Sequence, residues 1–337
     1  MKALTLKAPG GLNNILVSDI ADPGEPGPGE IRVGIGASSL NFHDLLVANG
    51  SIPTEDGRIL MSDGGGTVEA IGEGVTEFKV GDSVVSCFFP QWPAGSADAS
   101  VGTFANTPGD GINGMAAQFV VRHQNAFTLA PKGWTHAESA TITTAGLTAW
   151  RALVVDGKVK PGDTILTLGT GGVSIAVIQI ANMLGAKVII TSSSDEKLER
   201  AKKLGASEGV NYRTYAQWSD KVLELTDGKG ADHVIELGGP GTLEQSIHAV
   251  RVGGHISLIG VLTGRSGEVP TALLMAKQAR LQGLVVGSRR NQQDYVAALE
   301  ANQIHPLIDK TFAMEELAAA FEHQTSGSHF GKICVEW

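Results

Sequence analysis

Two different spacings of apolar residues divide the chain into a first part of short strands and a second part of alternating strands and helices. Up to about residue 125, short apolar runs at 31–35, 64–70 and 81–89 are separated by glycine and proline, which predicts a β-rich region. From about residue 128 onward, runs typical of buried strands alternate with stretches of helical spacing. This second pattern predicts an α/β fold with an open, doubly wound parallel sheet of six strands.

The predicted elements of the second part follow one another closely. A helix over 138–153 precedes strands at 165–168, 188–191, 210–212, 232–237, 255–259 and 281–286. Helices over 173–184, 195–204 and 243–250, and one helix that ends with residues 222–226, lie between these strands. Helices at 294–302 and 314–322 and a closing strand at 332–336 come last. The segment 90–114 has no regular spacing and is predicted to be a long loop.

The segment 164–193 contains a candidate binding site. Its first strand ends in a turn that includes Gly169, Gly171 and Gly172, and a helix follows at once. Glycine lets a phosphate approach the backbone closely, and the helix N-terminus offers free N–H groups and the positive end of the helix dipole. We therefore predict that the pyrophosphate of a dinucleotide binds here, although Ser174 stands where a third glycine is usual. On this turn alone, a glycine-rich turn without a ligand is the alternative.

The residues after the second strand of this segment indicate which dinucleotide is bound. An Asp or Glu about twenty residues after the first glycine would hold the ribose 2′-hydroxyl of NAD, but Ser192 stands there. A serine hydroxyl can donate to a 2′-phosphate, which a carboxylate would repel. Lys197 can supply positive charge, unless it is a surface lysine paired with neighbouring acids, and Tyr212–Arg213 can close over the phosphate. We therefore expect NADP(H).

Composition narrows the choice of partners and compartment. The chain is 42% hydrophobic and 18% charged, which is ordinary for a globular protein, and 337 residues suit two domains. Its net charge of −9 argues against nucleic acid or an anionic membrane as the main partner. No apolar stretch approaches about twenty residues and the first residues lack an apolar signal core, so we expect a cytoplasmic protein. Two cysteines, Cys87 and Cys334, are too few for a disulfide framework.

Several short motifs occur in a consistent order along the whole chain. They are PGEIRV at 28–33, NFHD at 41–44, GEGV at 72–75, FKVGD at 78–82, AGLTAW at 145–150, KLGA at 203–206 and the glycine pair at 253–254. With these motifs the chain resembles the medium-chain dehydrogenase/reductase superfamily, and specifically its zinc-independent, quinone-oxidoreductase-like branch. The resemblance implies a GroES-like catalytic domain formed by 1–127 and 288–337, and a Rossmann dinucleotide-binding domain formed by 128–287.

The zinc ligands of that superfamily are the clearest departure. Zinc-dependent members hold the metal with a cysteine, a His-Glu pair and a second cysteine, and the matching positions here are Asn41, Ser62–Asp63 and Thr144. Amide and hydroxyl groups are poor zinc ligands, and one carboxylate cannot make a site, so we expect no metal. Without a Lewis acid, hydride transfer is easiest to a quinone or an α,β-unsaturated carbonyl, because the product anion is delocalised.

By the resemblance, the candidate catalytic residues are Asn41, Asp63 and Thr144, and Asn41 is the first choice for a contact with substrate or nicotinamide. Cofactor contacts are expected from Phe42, Thr148, Gly169, Thr170, Gly171, Gly172, Val173, Ser192, Ser193, Lys197, Tyr212, Gly238, Gly260, Val261, Gly287 and Ser288. His43 with Asp44 is a candidate proton relay, and Trp92 with Phe42 a candidate wall of the acceptor site. A purely structural role is an alternative for all four, and a satisfied structural amide is the alternative for Asn41.

The favoured function is an NADPH-dependent reductase of a small-molecule quinone or carbonyl acceptor. The resemblance also implies a homodimer that pairs through the edge strand 281–286. A metal-independent alcohol dehydrogenase is one alternative. A nucleotide-binding sensor or structural protein with little turnover is the other.

Overall fold

The computed structural model describes residues 1–99 and 101–337, and the chain divides into two compact units. The first unit comprises Met1–Leu147 and Val286–Trp337, and the second comprises Thr148–Val285. None of the described helices is both long and apolar enough to cross a lipid bilayer.

Strands and helices are numbered here in chain order. The strands are β1 Lys2–Leu6, β2 Ile15–Asp19, β3 Glu30–Ser39, β4 Arg58–Ile59, β5 Gly65–Ile71, β6 Ser83–Ser86, β7 Phe119–His123, β8 Phe127–Leu129, β9 Thr164–Leu168, β10 Lys187–Ser192, β11 Glu208–Asn211, β12 Ala231–Glu236, β13 Val250–Leu258, β14 Arg280–Gly283, β15 Ile308–Ala313 and β16 Lys332–Glu336. The α-helices are α1 Phe42–Ala48, α2 Ala99–Gly102, α3 His136–Ala140, α4 Leu147–Trp150, α5 Gly172–Leu184, α6 Asp195–Lys203, α7 Trp218–Leu225, α8 Pro240–Ala249, α9 Thr271–Ala276, α10 Arg289–Asn302 and α11 Leu317–Thr325. Two π-helical segments, Ile142–Gly146 and Arg151–Asp156, flank α4.

The second unit is built on a parallel sheet of six strands in the order β11-β10-β9-β12-β13-β14. This is the strand order of a doubly wound Rossmann sheet, in which the chain starts at the centre and reverses direction once. Every residue of β12 is buried, as expected of a central strand that is covered on both faces. The α/β fold class that the alternating pattern predicts is therefore confirmed.

The first unit contains a mixed sheet of seven strands in the order β15-β16-β3-β5-β6-β8, with β7 also paired to β3. A separate antiparallel sheet has the order β2-β1-β4. Residues 30–37 of β3 alternate between half-buried and buried, which is the period of two that a sheet with one core face requires, and the last two residues of the strand are buried. Strand β16 has the bounds that the sequence predicts, and it pairs with the end of β3, so Lys332 lies beside Leu40.

Several predicted elements differ from the structure, and three of the differences bear on the site or on the sheet. The predicted helix 138–153 is divided into α3, α4 and the two π-helical segments, because the N–H of Gly146 bonds to the carbonyl of Thr141, five residues earlier. The sixth strand ends at Gly283, and Val286 has a φ of 47°, which a strand does not accommodate. The predicted loop 90–114 contains the short helix α2.

Candidate active site

A cluster of polar side chains is enclosed in the first unit around the carboxylate of Asp63. We call it the Asp63 cluster, and its members are Ser39, Asn41, Asp44, Ser62, Asp63, Thr144 and Lys332. Asp63 is fully buried; its Oδ1 accepts a hydrogen bond from Thr144 Oγ1 at 2.6 Å, and its Oδ2 accepts one from Ser39 Oγ at 2.5 Å. Met61, just before it in the chain, is buried with a φ of 74°. Backbone strain of this kind concentrates at functional sites.

The ammonium group of Lys332 carries the positive charge of the cluster. The residue is 6% exposed, and its Nζ donates to Asn41 Oδ1 at 2.7 Å and to the Leu40 carbonyl oxygen at 2.6 Å. The third acceptor is Asp63 Oδ2, at 3.5 Å. All three ammonium protons therefore have acceptors, which is what a buried lysine requires. The sequence analysis did not identify Lys332, although a charged residue at the start of an otherwise apolar strand was an available signal.

Asn41 and Asp44 complete the cluster at the start of α1. Asn41 Nδ2 donates to Asp44 Oδ2 at 2.9 Å and to the Ser39 carbonyl oxygen at 3.3 Å, so both amide protons are used within the protein. The backbone N–H of Ser62 donates to Asp44 Oδ1 at 2.8 Å. Burial raises the pKa of Asp44, and the charge of Asp63 adds to this effect. A substrate contact at Asn41 stays a prediction.

Thr144 is the member of the cluster with the greatest access to solvent. It is half-buried, whereas the other six members are buried. It lies on the π-helical segment Ile142–Gly146, and π-turns of this kind are frequent at functional sites. The structure thus brings together the three residues predicted to be catalytic, Asn41, Asp63 and Thr144. Their catalytic roles stay predictions.

The donor set of the Asp63 cluster does not fit a zinc ion. Among the positions that match the zinc ligands, Asp63 supplies the only carboxylate, and both its oxygens already accept from hydroxyl groups. The Lys332 ammonium lies 3.5 Å from that carboxylate, so a metal cation would meet a positive charge. Over the described residues, no three His, Cys, Asp or Glu side chains group closely enough to hold a metal ion.

The predicted proton relay of His43 and Asp44 is divided between two sets of partners. The Nε2 atom of His43 lies 3.1 Å from Asp110 Oδ2, and its ring stacks on Phe104 with centroids 5.2 Å apart. Asp44 belongs to the Asp63 cluster instead, where its carboxylate accepts from Asn41 and Ser62. Trp92, a predicted wall of the acceptor site, is buried and donates its ring N–H to the Gly95 carbonyl oxygen at 3.1 Å. Its contact with an acceptor stays a prediction.

The glycine turn of the second unit has a geometry that suits a pyrophosphate. Gly169 has a φ of 73°, and a side chain added there would meet nothing within 4 Å, so the backbone is open on that side. Gly171 precedes α5 without any capping side chain, which leaves the first N–H groups of that helix available. Ser174 is buried and donates to the Leu168 carbonyl oxygen at 2.8 Å. It thereby ties α5 to β9 in place of the missing third glycine.

A second helix N-terminus, that of α8, is occupied by the protein itself. Glu236, at the end of β12, is fully buried, and its Oε1 accepts from the N–H groups of Gly238 and Gly239 at 2.7 and 2.9 Å. The same oxygen accepts from Thr242 Oγ1 at 2.6 Å, and Oε2 accepts from Ser246. Of these two helix ends, α5 is therefore the one open to an anionic ligand. Sequence reasoning missed Glu236, whose only signal was a carboxylate at the end of a strand.

Ser192 lies at the end of β10, where the choice between NAD and NADP is expected. It is 4% exposed, and its Oγ accepts from the N–H of Ser194 at 3.2 Å, so its hydroxyl proton can be donated to a ligand oxygen. Lys197 is half-buried in the first turn of α6, and Tyr212 is 43% exposed. The nearby carboxylate of Asp195 accepts from Asn211 Nδ2 at 2.7 Å.

The remaining predicted cofactor contacts lie in both units. Those in the second unit are Thr148, Thr170, Gly172, Val173, Ser193, Gly260 and Val261; those in the first are Phe42, Gly287 and Ser288. Thr148 and Thr170 are buried, and Phe42 and Val261 are exposed. Ser288 is the N-cap of α10 and accepts from the N–H of Asn291. Contacts between these residues and a cofactor stay predictions.

Comparison with known proteins identifies the family. The chain matches the model of the alcohol dehydrogenase GroES-like domain over residues 27–132 and that of the zinc-binding dehydrogenase over residues 172–302. A zinc-type alcohol dehydrogenase-like protein of Schizosaccharomyces pombe is 39% identical, over 97% of this chain and 96% of that protein. The crystal structure of a putative alcohol dehydrogenase from Sinorhizobium meliloti is 37% identical with a TM-score of 0.92, covering 100% of this chain and 98% of that one. A quinone oxidoreductase structure from Pseudomonas syringae is 27% identical with a TM-score of 0.84, covering 100% and 99%. On this sequence and structural evidence, the chain belongs to the medium-chain dehydrogenase/reductase superfamily and is an NAD(P)H-dependent oxidoreductase.

Proposed function

We propose that this protein is a zinc-independent, NADPH-dependent reductase that transfers a hydride to a quinone or an α,β-unsaturated carbonyl. The observation that supports this most directly is the Lys332 ammonium in the Asp63 cluster, because it takes the place of a metal charge. Its three protons are bound within the protein, so none of them is left to donate to a substrate oxygen. Acceptors whose reduced anion is delocalised need the least stabilisation from the site. The likeness to a protein described as a quinone oxidoreductase agrees with this substrate class.

The preference for NADPH rests on Ser192. The hydroxyl of Ser192 can donate to a 2′-phosphate, and no carboxylate occupies that position to hold a free ribose hydroxyl. Lys197 and Arg213 add positive charge nearby in the sequence. When bound, the dinucleotide supplies the hydride, and the protein supplies orientation and exclusion of water.

The test is NADPH oxidation by the purified protein before and after dialysis against a chelator, with a panel of quinones and enones as acceptors and with zinc measured before the dialysis. We expect turnover with at least one acceptor, a preference for NADPH over NADH, and less than one tenth of a zinc per chain by elemental analysis. Binding of NADPH without turnover of any acceptor contradicts the proposed reductase. One zinc per chain, with activity lost on its removal, contradicts zinc independence.

The assembly and the location of the protein are part of the same proposal. Strand β14 is at the edge of the parallel sheet, and the unpaired backbone groups of an edge strand can pair with a second copy of the chain. A homodimer mass by light scattering is expected, and a monomer at micromolar concentration contradicts it. The two cysteines are unpaired and buried, which agrees with a reducing, cytoplasmic environment. Fluorescent tagging in the source cell tests the location.

A further inference from the structure

The first unit has an open cleft of about 430 Å³ that shares no residue with the Asp63 cluster. We call it the Trp134 cleft, and it is lined by Gly36, Trp134, Thr135, His136, Glu336 and Trp337. Its lining combines two indole rings, an imidazole and a carboxylate. Glu336 and Lys332 are the two ends of β16, so their Cα atoms are about 13 Å apart along the strand. The Trp134 cleft is therefore a separate candidate site.

The indole ring of Trp134 forms one wall of the cleft. It is half-buried, and the ring of His305 stacks on it with centroids 5.5 Å apart and planes inclined by 28°. Since His305 covers one face, the opposite face is the one left for a ligand. The next residue fixes the turn that carries the ring, because Thr135 is the N-cap of α3 and its backbone N–H donates to Glu138 Oε2 at 2.8 Å. A wall that is already in place lowers the entropy cost of binding.

Trp337 lines the cleft from the end of β16. Its backbone N–H donates to the Gly36 carbonyl oxygen at 3.1 Å, and its half-buried side chain packs against the core of the unit. The indole nitrogen Nε1 is enclosed, and its N–H has no acceptor among the described residues. Buried donors without an acceptor are uncommon in folded proteins. The oxygen of a ligand in the adjoining cleft would satisfy this one.

The charge of the cleft is negative, because the carboxylate of Glu336 has no cation to balance it. Glu336 is exposed, and in the described part of the chain no hydrogen bond or ion pair engages its side chain. His136 is the only basic side chain of the lining, and its Nε2 lies 3.0 Å from Thr67 Oγ1. Burial lowers the pKa of His136 below 6.5, although the charge of Glu336 opposes this effect. The imidazole is therefore neutral near pH 7 and leaves the carboxylate uncompensated.

We propose that the Trp134 cleft is a binding site for a small organic ammonium ion, of the quaternary or alkylated amine class. Indole rings attract such cations through their π faces, and recognition of quaternary ammonium groups is the best-attested use of this interaction. The ammonium group contacts Trp134 and Glu336, and an oxygen on the same ligand accepts from Trp337. An inorganic cation fits the cleft less well, because indole rings are not metal ligands and the lining holds a single carboxylate.

The first experiment uses the wild-type protein labelled with 5-fluorotryptophan, so that each of the five tryptophans gives its own fluorine NMR signal. The signals are assigned from variants in which one tryptophan at a time is replaced by phenylalanine. Choline is the probe, because it joins a quaternary ammonium group to a hydroxyl oxygen. At constant ionic strength, millimolar choline should move the signals of Trp134 and Trp337 and leave the other three in place. No movement of these two signals overturns the proposal.

Two further compounds separate the charge from the shape of the ligand. The alcohol 3,3-dimethylbutan-1-ol has the shape of choline without its charge, and it should bind at least about tenfold more weakly. Equal binding of the two compounds contradicts a cation site. Magnesium chloride tests an inorganic cation, and a response of both signals equal to that with choline contradicts the organic class. None of these readouts uses NADPH, so their outcome is independent of the proposed reductase.

Variants then locate the binding energy. Glu336→Gln removes the charge at nearly constant shape, and Trp134→Leu removes the π face but keeps an apolar side chain. Each should weaken choline binding by about threefold to fivefold, and the double variant by about tenfold or more. Glu322→Gln is the matched control, because Glu322 is an exposed carboxylate of the same unit outside the cleft, and it should bind choline like wild type. Thermal unfolding establishes that each variant is folded. Wild-type affinity in both cleft variants, or an equal loss in the control, refutes the assignment.

Discussion

The buried histidine His255 makes the second unit sensitive to mild acid. It lies on β13 and is 5% exposed; its Nδ1 accepts from Arg280 Nε at 2.7 Å, and its Nε2 is 3.1 Å from Ser257 Oγ. The pKa of His255 is lowered from 6.5 to about 4. Burial is the largest cause, and the charge of Arg280 and the neighbouring His233 contribute less. Arg280 is the first residue of the edge strand β14, so protonation of His255 would repel the side chain that joins β13 to β14.

The effect of His255 on the free energy of unfolding follows from the difference between its pKa in the folded and in the unfolded state. Because the folded-state pKa lies below the unfolded-state value, the neutral imidazole contributes its full stability above pH 6.5. That contribution is lost as the pH falls from 6.5 towards 4, by about 1.4 kcal/mol per pH unit, and amounts to about 3 kcal/mol in total. Between pH 7 and pH 5, this one group should lower the free energy of unfolding by about 2 kcal/mol.

The assay compares wild type with His255→Asn, whose amide oxygen can still accept from Arg280 but whose side chain does not titrate. Urea unfolding at pH 7, 6 and 5 is combined with hydrogen exchange of peptides from β12 to β14, so that the second unit is followed separately. The other titrating groups are common to both proteins and cancel. Wild type should lose about 2 kcal/mol more than the variant between pH 7 and pH 5. Parallel losses in the two proteins would refute the reasoning.

Three further predictions concern the cofactor, the Asp63 cluster and the sheet. Ser192→Asp should weaken NADPH binding by tenfold or more, about 1.4 kcal/mol, and spare NADH; fluorescence titration measures both, and equal loss of the two contradicts the assignment of Ser192. Lys332→Met should lower the free energy of unfolding by about 3 kcal/mol, because Asp63 is left buried without its counter-charge, and Lys332→Met/Asp63→Asn should recover part of it in urea titrations. An added cost in the double variant would contradict the pairing. Gly260→Ala would place a methyl group 1.8 Å from the Leu237 carbonyl oxygen and should cost about 2 kcal/mol by thermal unfolding. The control Gly283→Ala, where an added methyl meets nothing within 4 Å, should cost less than about 0.5 kcal/mol, and similar costs would contradict the argument from close approach.

Local features of the second unit were predictable because neighbours in sequence decide them. Serine is a favoured N-cap residue, and Ser194 caps α6, because its Oγ accepts from the N–H of Lys197 at 3.3 Å. The predicted helix after the glycine turn ends at Leu184, before Gly185, as expected. Buried apolar runs separated by helices were sufficient to predict the parallel sheet, since strands of this kind are stable only when helices cover both faces of the sheet.

Interruptions of these patterns were not predictable. Residues 138–153 have continuous helical spacing, yet the backbone takes up two π-helical segments there, and one of them carries Thr144. The first is accompanied by a contact of Thr143 Oγ1 with Ser86, 57 residues away in the chain. A tertiary contact of this kind leaves no local trace in the sequence.

By itself, the sequence determined the fold class and the glycine turn, because each depends on residue types at short spacing. It also placed Asn41, Asp63 and Thr144 as candidates through resemblance. Only the tertiary structure decided how the charge of this site is balanced. Lys332 reaches Asp63 across 269 residues and Thr144 reaches it across 81, because β16 pairs with β3 and the π-helical segment is bonded to β6 through Thr143 and Ser86. The energy of a buried charge depends on its neighbours in space, so the role of Lys332 emerges only when the chain is folded.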